Sequence, residues 1–249
     1  MTFHIIGLGL NDERDITLRG LDIIKKCKQI YLESYTSKLN CSKQTLEKLY
    51  KKRIRLADRI LVEQNPEVML QRAKKEDIAL LIVGDPLSAT THIDLILRAR
   101  ELKVEVNVVF NASILTAVGI TGLQLYKFGK TTSIVFPQQS YFPESAYDTI
   151  KMNLKNKLHT LCLLDIHAEK KRYMTIGEAI DILLRIENKR KENVFTRNTL
   201  VVGCSCLGAN NQVIAGKASE ILKKRFKQGM QCLIVPGELH FMEKEFLGI

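Results

Sequence analysis

Hydrophobic and polar positions alternate in two rhythms along the first 110 residues. The run "FHIIGLGL" (3–10) reads as a strand that opens onto Gly7 and Gly9, and "TLRGLDIIKKC" (17–27) carries the apolar spacing of a helix. "QIYLESY" (29–35) is strand-like, and "SKQTLEKLYKK" (42–52) is helical with Ser42 placed to cap it. "NPEVMLQRAKKE" reads as a helix with Asn65 as the cap and Pro66 at the first helical position. "IALLIVGDP" (78–86) is a continuous apolar strand, "THIDLILRARE" a helix and "VEVNVVF" (104–110) a strand. Strands that alternate with helices predict a parallel sheet covered on both faces.

The rhythm then shortens. "TTSIVF" (131–136), "LHTLCLLDI" (158–166), "TLVVGCS" (199–205), "QVIAG" (212–216) and "MQCLIVPG" (230–237) are strand candidates. The helices between them include "PESAYDTIKMNLKN" and "IGEAIDILLRIENKRK", the second opening on Thr175 with Glu178 three positions on, a capping box. The expected architecture is therefore α/β in two domains, 1–110 with a largely parallel sheet and 111–249 with a mixed one. The crossover falls in "FNASILTAVGITG" (110–122).

A chain of 249 residues with 45% hydrophobic content can bury a sizeable core, which excludes disorder. The absence of Trp argues against an aromatic stacking surface for single-stranded nucleic acid. The net charge of +11 admits an RNA surface, an acidic protein partner or a solvated shell. The basic runs Lys51–Arg53, Lys170–Arg172, Lys189–Lys191 and Lys223–Arg225 are scattered in sequence, and most stand at helix ends, where cations favour the dipole. Six cysteines, most of them inside apolar segments, read as buried thiols of a reducing compartment; Cys204 and Cys206 have no second Cys/His pair at zinc spacing. The N-terminal segment makes a poor signal peptide, and no apolar run reaches membrane-spanning length, so the expected location is cytoplasmic.

Candidate chemistry gathers at predicted strand ends, where open parallel sheets bind ligands. Gly7-Leu8-Gly9 invites a dinucleotide reading, but Asp12 and Glu13 follow it and would repel a pyrophosphate. In "VGDPLSATTH", Asp85 follows an apolar strand, Pro86 stiffens the turn, and Ser88, Thr90 and Thr91 offer small hydroxylated walls; "NASI" (111–114) repeats the theme. Without a phosphate-binding lysine in either loop, this assembly suits a neutral or zwitterionic nucleoside. Glu33, between Tyr31 and Tyr35, and Asp165, beside His167 with one facing the cleft and the other away, are carboxylates that serve a structural or a functional role equally well.

Together "IGLGLNDERDITLRGL", "YLESYTS", "VGDPLSATTH", "NASI", "GITGLQLYKFGK", "HTLCLLDI" and "RYMT" resemble, in order and nearly end to end, the diphthine synthases and diphthine methyl ester synthases of archaea and eukaryotes. These belong to the tetrapyrrole methylase superfamily. The resemblance implies two α/β domains of the tetrapyrrole methylase type with S-adenosylmethionine in the cleft between them, a homodimer, and repeated methylation of the modified histidine of translation elongation factor 2. Neither a membrane nor a direct nucleic-acid partner is implied. Carried over residue by residue, the cofactor contacts fall on Leu10, Asp85, Ser88, Ser113, Ile114, Leu164, Ser205 and His240. Asp85 would anchor polar groups of the cofactor, while Ser88 and Ser205 would act through their backbone. Where the superfamily often has a third glycine, this chain has Asn11.

Methyl transfer from a sulfonium is an in-line displacement that needs alignment, desolvation and removal of a proton from the attacking amine, without a metal. Glu33 and Asp165 are the candidate proton acceptors, and Tyr31 and Tyr35 are candidate walls for a quaternary ammonium. The positive charge fits docking on an acidic face of the elongation factor. An RNA methyltransferase of the same superfamily and a non-catalytic nucleoside-binding module are the rival readings.

Overall fold

A computed structural model describes residues 1–138 and 141–249. The chain divides into two compact units, Met1–Leu115 and Thr116–Ile249. Residues 111–115 therefore go with the first unit rather than opening the second. The tie is Asn111, whose side-chain amide donates to Gly7 O at 2.9 Å and Asp15 O at 3.0 Å.

The first unit runs β1 (Thr2–Gly7), α1 (Leu18–Lys26), β2 (Gln29–Glu33), α2 (Lys43–Tyr50), β3 (Ile54–Ala57), α3 (Glu67–Ala73), β4 (Ile78–Ile82), α4 (Ile93–Glu101) and β5 (Glu105–Val109). Its sheet has the order β3-β2-β4-β1-β5, with every pairing parallel. β4 shows why the apolar run 78–82 is continuous. Ile78, Leu80 and Ile82 pack on one face of the sheet with Met69, Leu70 and Leu95, while Ala79 and Leu81 pack on the other with Ile24 and Leu46. Thr17 and Ser42 cap α1 and α2 by accepting from Gly20 N and Thr45 N. Asn65 does not cap α3: its own N–H donates to Ile60 O, closing a preceding π-turn over Ile60–Gln64, and Pro66 takes the cap position. β3 escapes the periodicity because only Ile54 and Ala57 of this edge strand are buried, leaving Arg55 and Leu56 exposed.

The second unit follows α5 (Ile114–Ala117), which straddles the division, with β6 (Thr132–Ile134), α6 (Ser145–Lys155), β7 (Thr160–Leu164), β8 (Ile166–His167), β9 (Arg172–Tyr173), α7 (Ile176–Arg190), β10 (Leu200–Ser205), β11 (Gln212–Lys217), α8 (Ala218–Ile221), β12 (Gln231–Val235) and α9 (Phe241–Leu247). The sheet β11-β10-β12-β7-β6 is mixed: β6 and β7 are parallel and the other pairings antiparallel. The capping box of α7 is formed, with Thr175 Oγ1 accepting from Glu178 N and Glu178 Oε2 accepting from Thr175 N at 2.8 Å. Ile176, Ala179, Ile180 and Leu183 face the core of this unit. Cys204 stands opposite Cys232 across the antiparallel pair, and all six thiols are free. Burial pushes the Cys162 thiol up to about 12, so it is an inert thiol.

Candidate cofactor site

Three loops leave the carboxyl ends of the adjacent strands β4, β1 and β5, and each is braced by the others. Leu8 N–H donates to Ile82 O at 2.8 Å, and Gly9 and Gly84 exchange backbone hydrogen bonds of 3.3 and 2.7 Å. Gly9 has φ +77°, and a Cβ there would lie 2.5 Å from the Asp15 Cβ, so this turn admits no side chain. Five of the expected contact residues come together on these loops: Leu10 after β1, Asp85 and Ser88 after β4, and Ser113 and Ile114 after β5.

The carboxylates work mainly on the backbone. Asp85, buried, accepts from Leu87 N at 3.0 Å and Ser88 Oγ at 2.9 Å through one oxygen, and from Asn111 N at 3.2 Å through the other. Three of its roughly four lone-pair positions are thereby committed to shaping two loops. Asp15, which no sequence motif singles out, has the matching task on the first loop. Its Oδ2 accepts from Leu10 N at 3.1 Å and Asn11 N at 2.8 Å. These are the amides that a phosphate would occupy in a dinucleotide-binding loop. With a carboxylate already on them, the loop disfavours a pyrophosphate.

His92 closes the β4 loop. Its Nδ1 lies 3.1 Å from Pro86 O and 3.0 Å from Thr90 Oγ1. Because a carbonyl only accepts, Nδ1 carries a proton; Nε2 is buried with no hydrogen-bond partner among the described residues.

Glu33 ends β2, beside β4. It is 2% exposed, and it accepts from Tyr35 N at 3.3 Å, Thr36 N at 2.8 Å and Thr36 Oγ1 at 2.6 Å. The Tyr31 and Tyr35 rings are buried in the apolar core on one face of the sheet.

In the second unit, Leu164 and Ser205 end β7 and β10, which point the same way because both are antiparallel to β12. His240 follows β12, whose carboxyl end lies beside the amino end of β7, so it stands at the opposite end of that sheet. Asp165 and His167 do not diverge. The chain turns at once into the β8–β9 hairpin, leaving His167 Nε2 3.3 Å from Asp165 Oδ2, while Phe136 N and Ile166 N each donate to the same carboxylate at 2.9 Å.

A buried carboxylate fixes the segment that holds His240. Glu243, fully buried, accepts from Gln124 N at 2.9 Å, Lys127 Nζ at 2.6 Å, His159 Nε2 at 3.0 Å and His240 N at 2.7 Å. Burial alone would push this carboxyl up, but its four donors overcome that and hold it down at about 2. Gly237 N donates to His159 Nδ1 at 2.9 Å, so His159 carries its proton on Nε2 and is neutral, in keeping with the downward shift that burial imposes. The sequence signal for this network is the spacing His240-x-x-Glu243, a capping box that uses a histidine.

Among the described residues no group of His, Cys, Asp or Glu is placed to hold a metal ion. No helix among them is long and apolar enough to cross a membrane.

The sequence profile of the tetrapyrrole (corrin/porphyrin) methylases matches residues 2–222. The chain belongs to that family. It is therefore a methyltransferase, which implies a methyl-donor cofactor. It is similar to a diphthine synthase of Methanococcus maripaludis, at 50% identity with 97% of this chain and 95% of the relative covered. It is also similar to a diphthine methyl ester synthase of Dictyostelium discoideum, at 44% identity with 99% and 97% covered. A crystal structure of diphthine synthase superposes with a TM-score of 0.91 at 32% identity, covering 100% of this chain and 95% of that one.

Proposed function

We propose that this methyltransferase uses S-adenosylmethionine to methylate repeatedly the amine of the 3-carboxy-3-aminopropyl group on the modified histidine of translation elongation factor 2, in the cytoplasm. The observation that carries the proposal is the 50% identity, over nearly the whole of both chains, to a diphthine synthase. The donor set agrees with the cofactor. The first loop's amides face Asp15, which disfavours a phosphate, while Leu10 and Ile114 offer apolar contact and the small Ser88 and Ser113 let a ligand approach the backbone.

When bound, S-adenosylmethionine would supply the electrophilic methyl group. The protein's residues have to hold the reactants in line and remove a proton from the attacking amine. Asp85 acts on the cofactor chiefly through the backbone it positions. Both carboxylate candidates accept backbone amides, and Asp165 suits the proton better because its side chain is 21% exposed and stands beside His167 Nε2, whereas Glu33 is 2% exposed. Leu164, Ser205 and His240 keep the cofactor roles that the resemblance assigns them, and a homodimer is the expected assembly.

The decisive experiment incubates the purified protein with S-adenosylmethionine and elongation factor 2 that carries the unmethylated intermediate, followed by intact-mass analysis. A gain of three methyl masses, or of four if the carboxylate is also esterified, is the expected result. Methyl transfer to ribosomal RNA with none to the elongation factor would overturn the substrate reading. Cofactor binding without any transfer would overturn catalysis itself.

A further inference from the structure

The basic residues that look scattered along the sequence are gathered by the fold. In a parallel sheet with alternating helices, each helix C-terminus returns to the amino end of the next strand. Here α1 ends in Lys25 and Lys26 and leads through Lys28 into β2; α2 ends at Lys48 and Tyr50 and leads through Lys51, Lys52 and Arg53 into β3. β2 and β3 are neighbours with Ile30 opposite Ile54, so the two basic approaches enter the sheet side by side at a spacing of about 4.8 Å. Lys52 Nζ fastens them together by donating to Cys27 O.

Lys25, Lys26, Lys28, Lys48, Lys51 and Arg53 are all exposed, and among the described residues none of them forms an ion pair with a carboxylate within 4.0 Å. Asp22 stands one turn before Lys25 and Lys26 on α1, Arg53 lies in the field of Glu47, and the other acids nearby are engaged elsewhere. Glu47 holds Lys43 and the Ile54 N–H, Glu76 holds the Gln29 side chain, and Asp77 holds the Thr2 N–H. Helix dipoles account for a cation or two per helix end but do not require six unpaired ones on a single patch.

The patch is not a compact phosphate pocket, since two helix C-termini with their partial negative charge point at it. Exposed cations spread over two neighbouring strand entries suit an extended row of phosphates instead. Stacking on single-stranded bases is ruled out here, because Tyr50 is buried and the chain has no Trp. Nor does the patch serve the methyl-transfer loops, which lie at the other end of strands about 17–20 Å long.

We infer that the amino end of the first sheet, at the α1–β2 and α2–β3 junctions, is a docking surface for the phosphate backbone of double-stranded RNA. The juxtaposition departs from the expectation of no nucleic-acid partner, which rested on the scatter of cations along the sequence. The test measures fluorescence anisotropy of a labelled ~20-base-pair RNA duplex against the full chain across a salt series. Its variants are Lys26→Gln/Lys28→Gln/Lys48→Gln/Arg53→Gln and a control of equal charge change, Lys170→Gln/Lys171→Gln/Lys223→Gln/Lys224→Gln, each checked for an unchanged thermal midpoint. The patch variant is expected to bind at least tenfold more weakly, with a salt slope shallower by roughly one per phosphate contact removed. The control should bind as the parent does, and methylation of the elongation factor should be unchanged in both. Equal losses in the two variants, or no measurable binding by the parent near physiological salt, would overturn the inference. A patch variant that keeps its RNA affinity but loses turnover on the protein substrate would identify the patch as a protein-docking surface instead, and would leave the methyl-transfer reading intact.

Discussion

Carboxylates organise backbone in both units, but in different surroundings. In the first unit Asp15 and Asp85 accept amides on loops at the ends of parallel strands, and the loops they shape carry the half-buried Leu10, Ser88 and Ile114. In the second, Glu243 and Glu187 sit in the interior. Glu187 accepts from Tyr147 OH at 2.7 Å and from Asn193, Val194 and Phe195 N–H at 2.8 Å each, tying α7 to the segment that follows it. The same interaction thus shapes the loops of a candidate site in one place and fastens chain segments in the other. The difference teaches that loss of binding and loss of stability should separate by unit.

The largest effect is expected at Glu243. Glu243→Gln removes a buried charge from Lys127 and two backbone donors, and should cost about 3–5 kcal/mol in urea unfolding. The pH dependence follows from the direction of the shift. A carboxyl lowered from 4.5 to about 2 stabilises the fold fully above its unfolded value and ceases to do so as pH falls toward 2. The parent should therefore lose stability progressively below about pH 4.5, with a shallower loss in Glu243→Gln. Equal slopes in the two proteins would show that Glu243 is not the group responsible.

Asp85→Ala should be intermediate, costing about 1–2 kcal/mol for the donors it leaves unmet. Its cofactor affinity by calorimetry should drop tenfold or more, because two loops lose their common acceptor. Unchanged affinity would break the comparison at its functional side. The smallest effect is expected for Thr175→Ala, about 1 kcal/mol from the lost cap of α7. Cofactor affinity should be untouched, and a matching loss of affinity would erase the distinction between the units.

Much of this arrangement was legible in the sequence because it is local. The apolar run 78–82, the caps at Ser42 and Thr175, and the Gly-Asp-Pro break all announce themselves within a few positions. What was hidden depends on partners far away in the chain. Asp15 belongs to no sequence motif, and its bond to the Leu10 amide follows from how the turn at Gly9 folds back. Asn65 had the right chemistry for a cap but was taken by the preceding π-turn. Asp165 and His167 alternate as strand residues should, until the β8–β9 hairpin turns them together. Glu243 depends on Gln124, Lys127 and His159, more than 80 residues upstream, which no window reading connects.

The concentration of unpaired cations at one end of the first sheet gives that unit an electrical polarity along its strands. Approaching any negatively charged body, it would experience a torque that turns this end inward. The loops at the far end of those strands would then be turned away from that body.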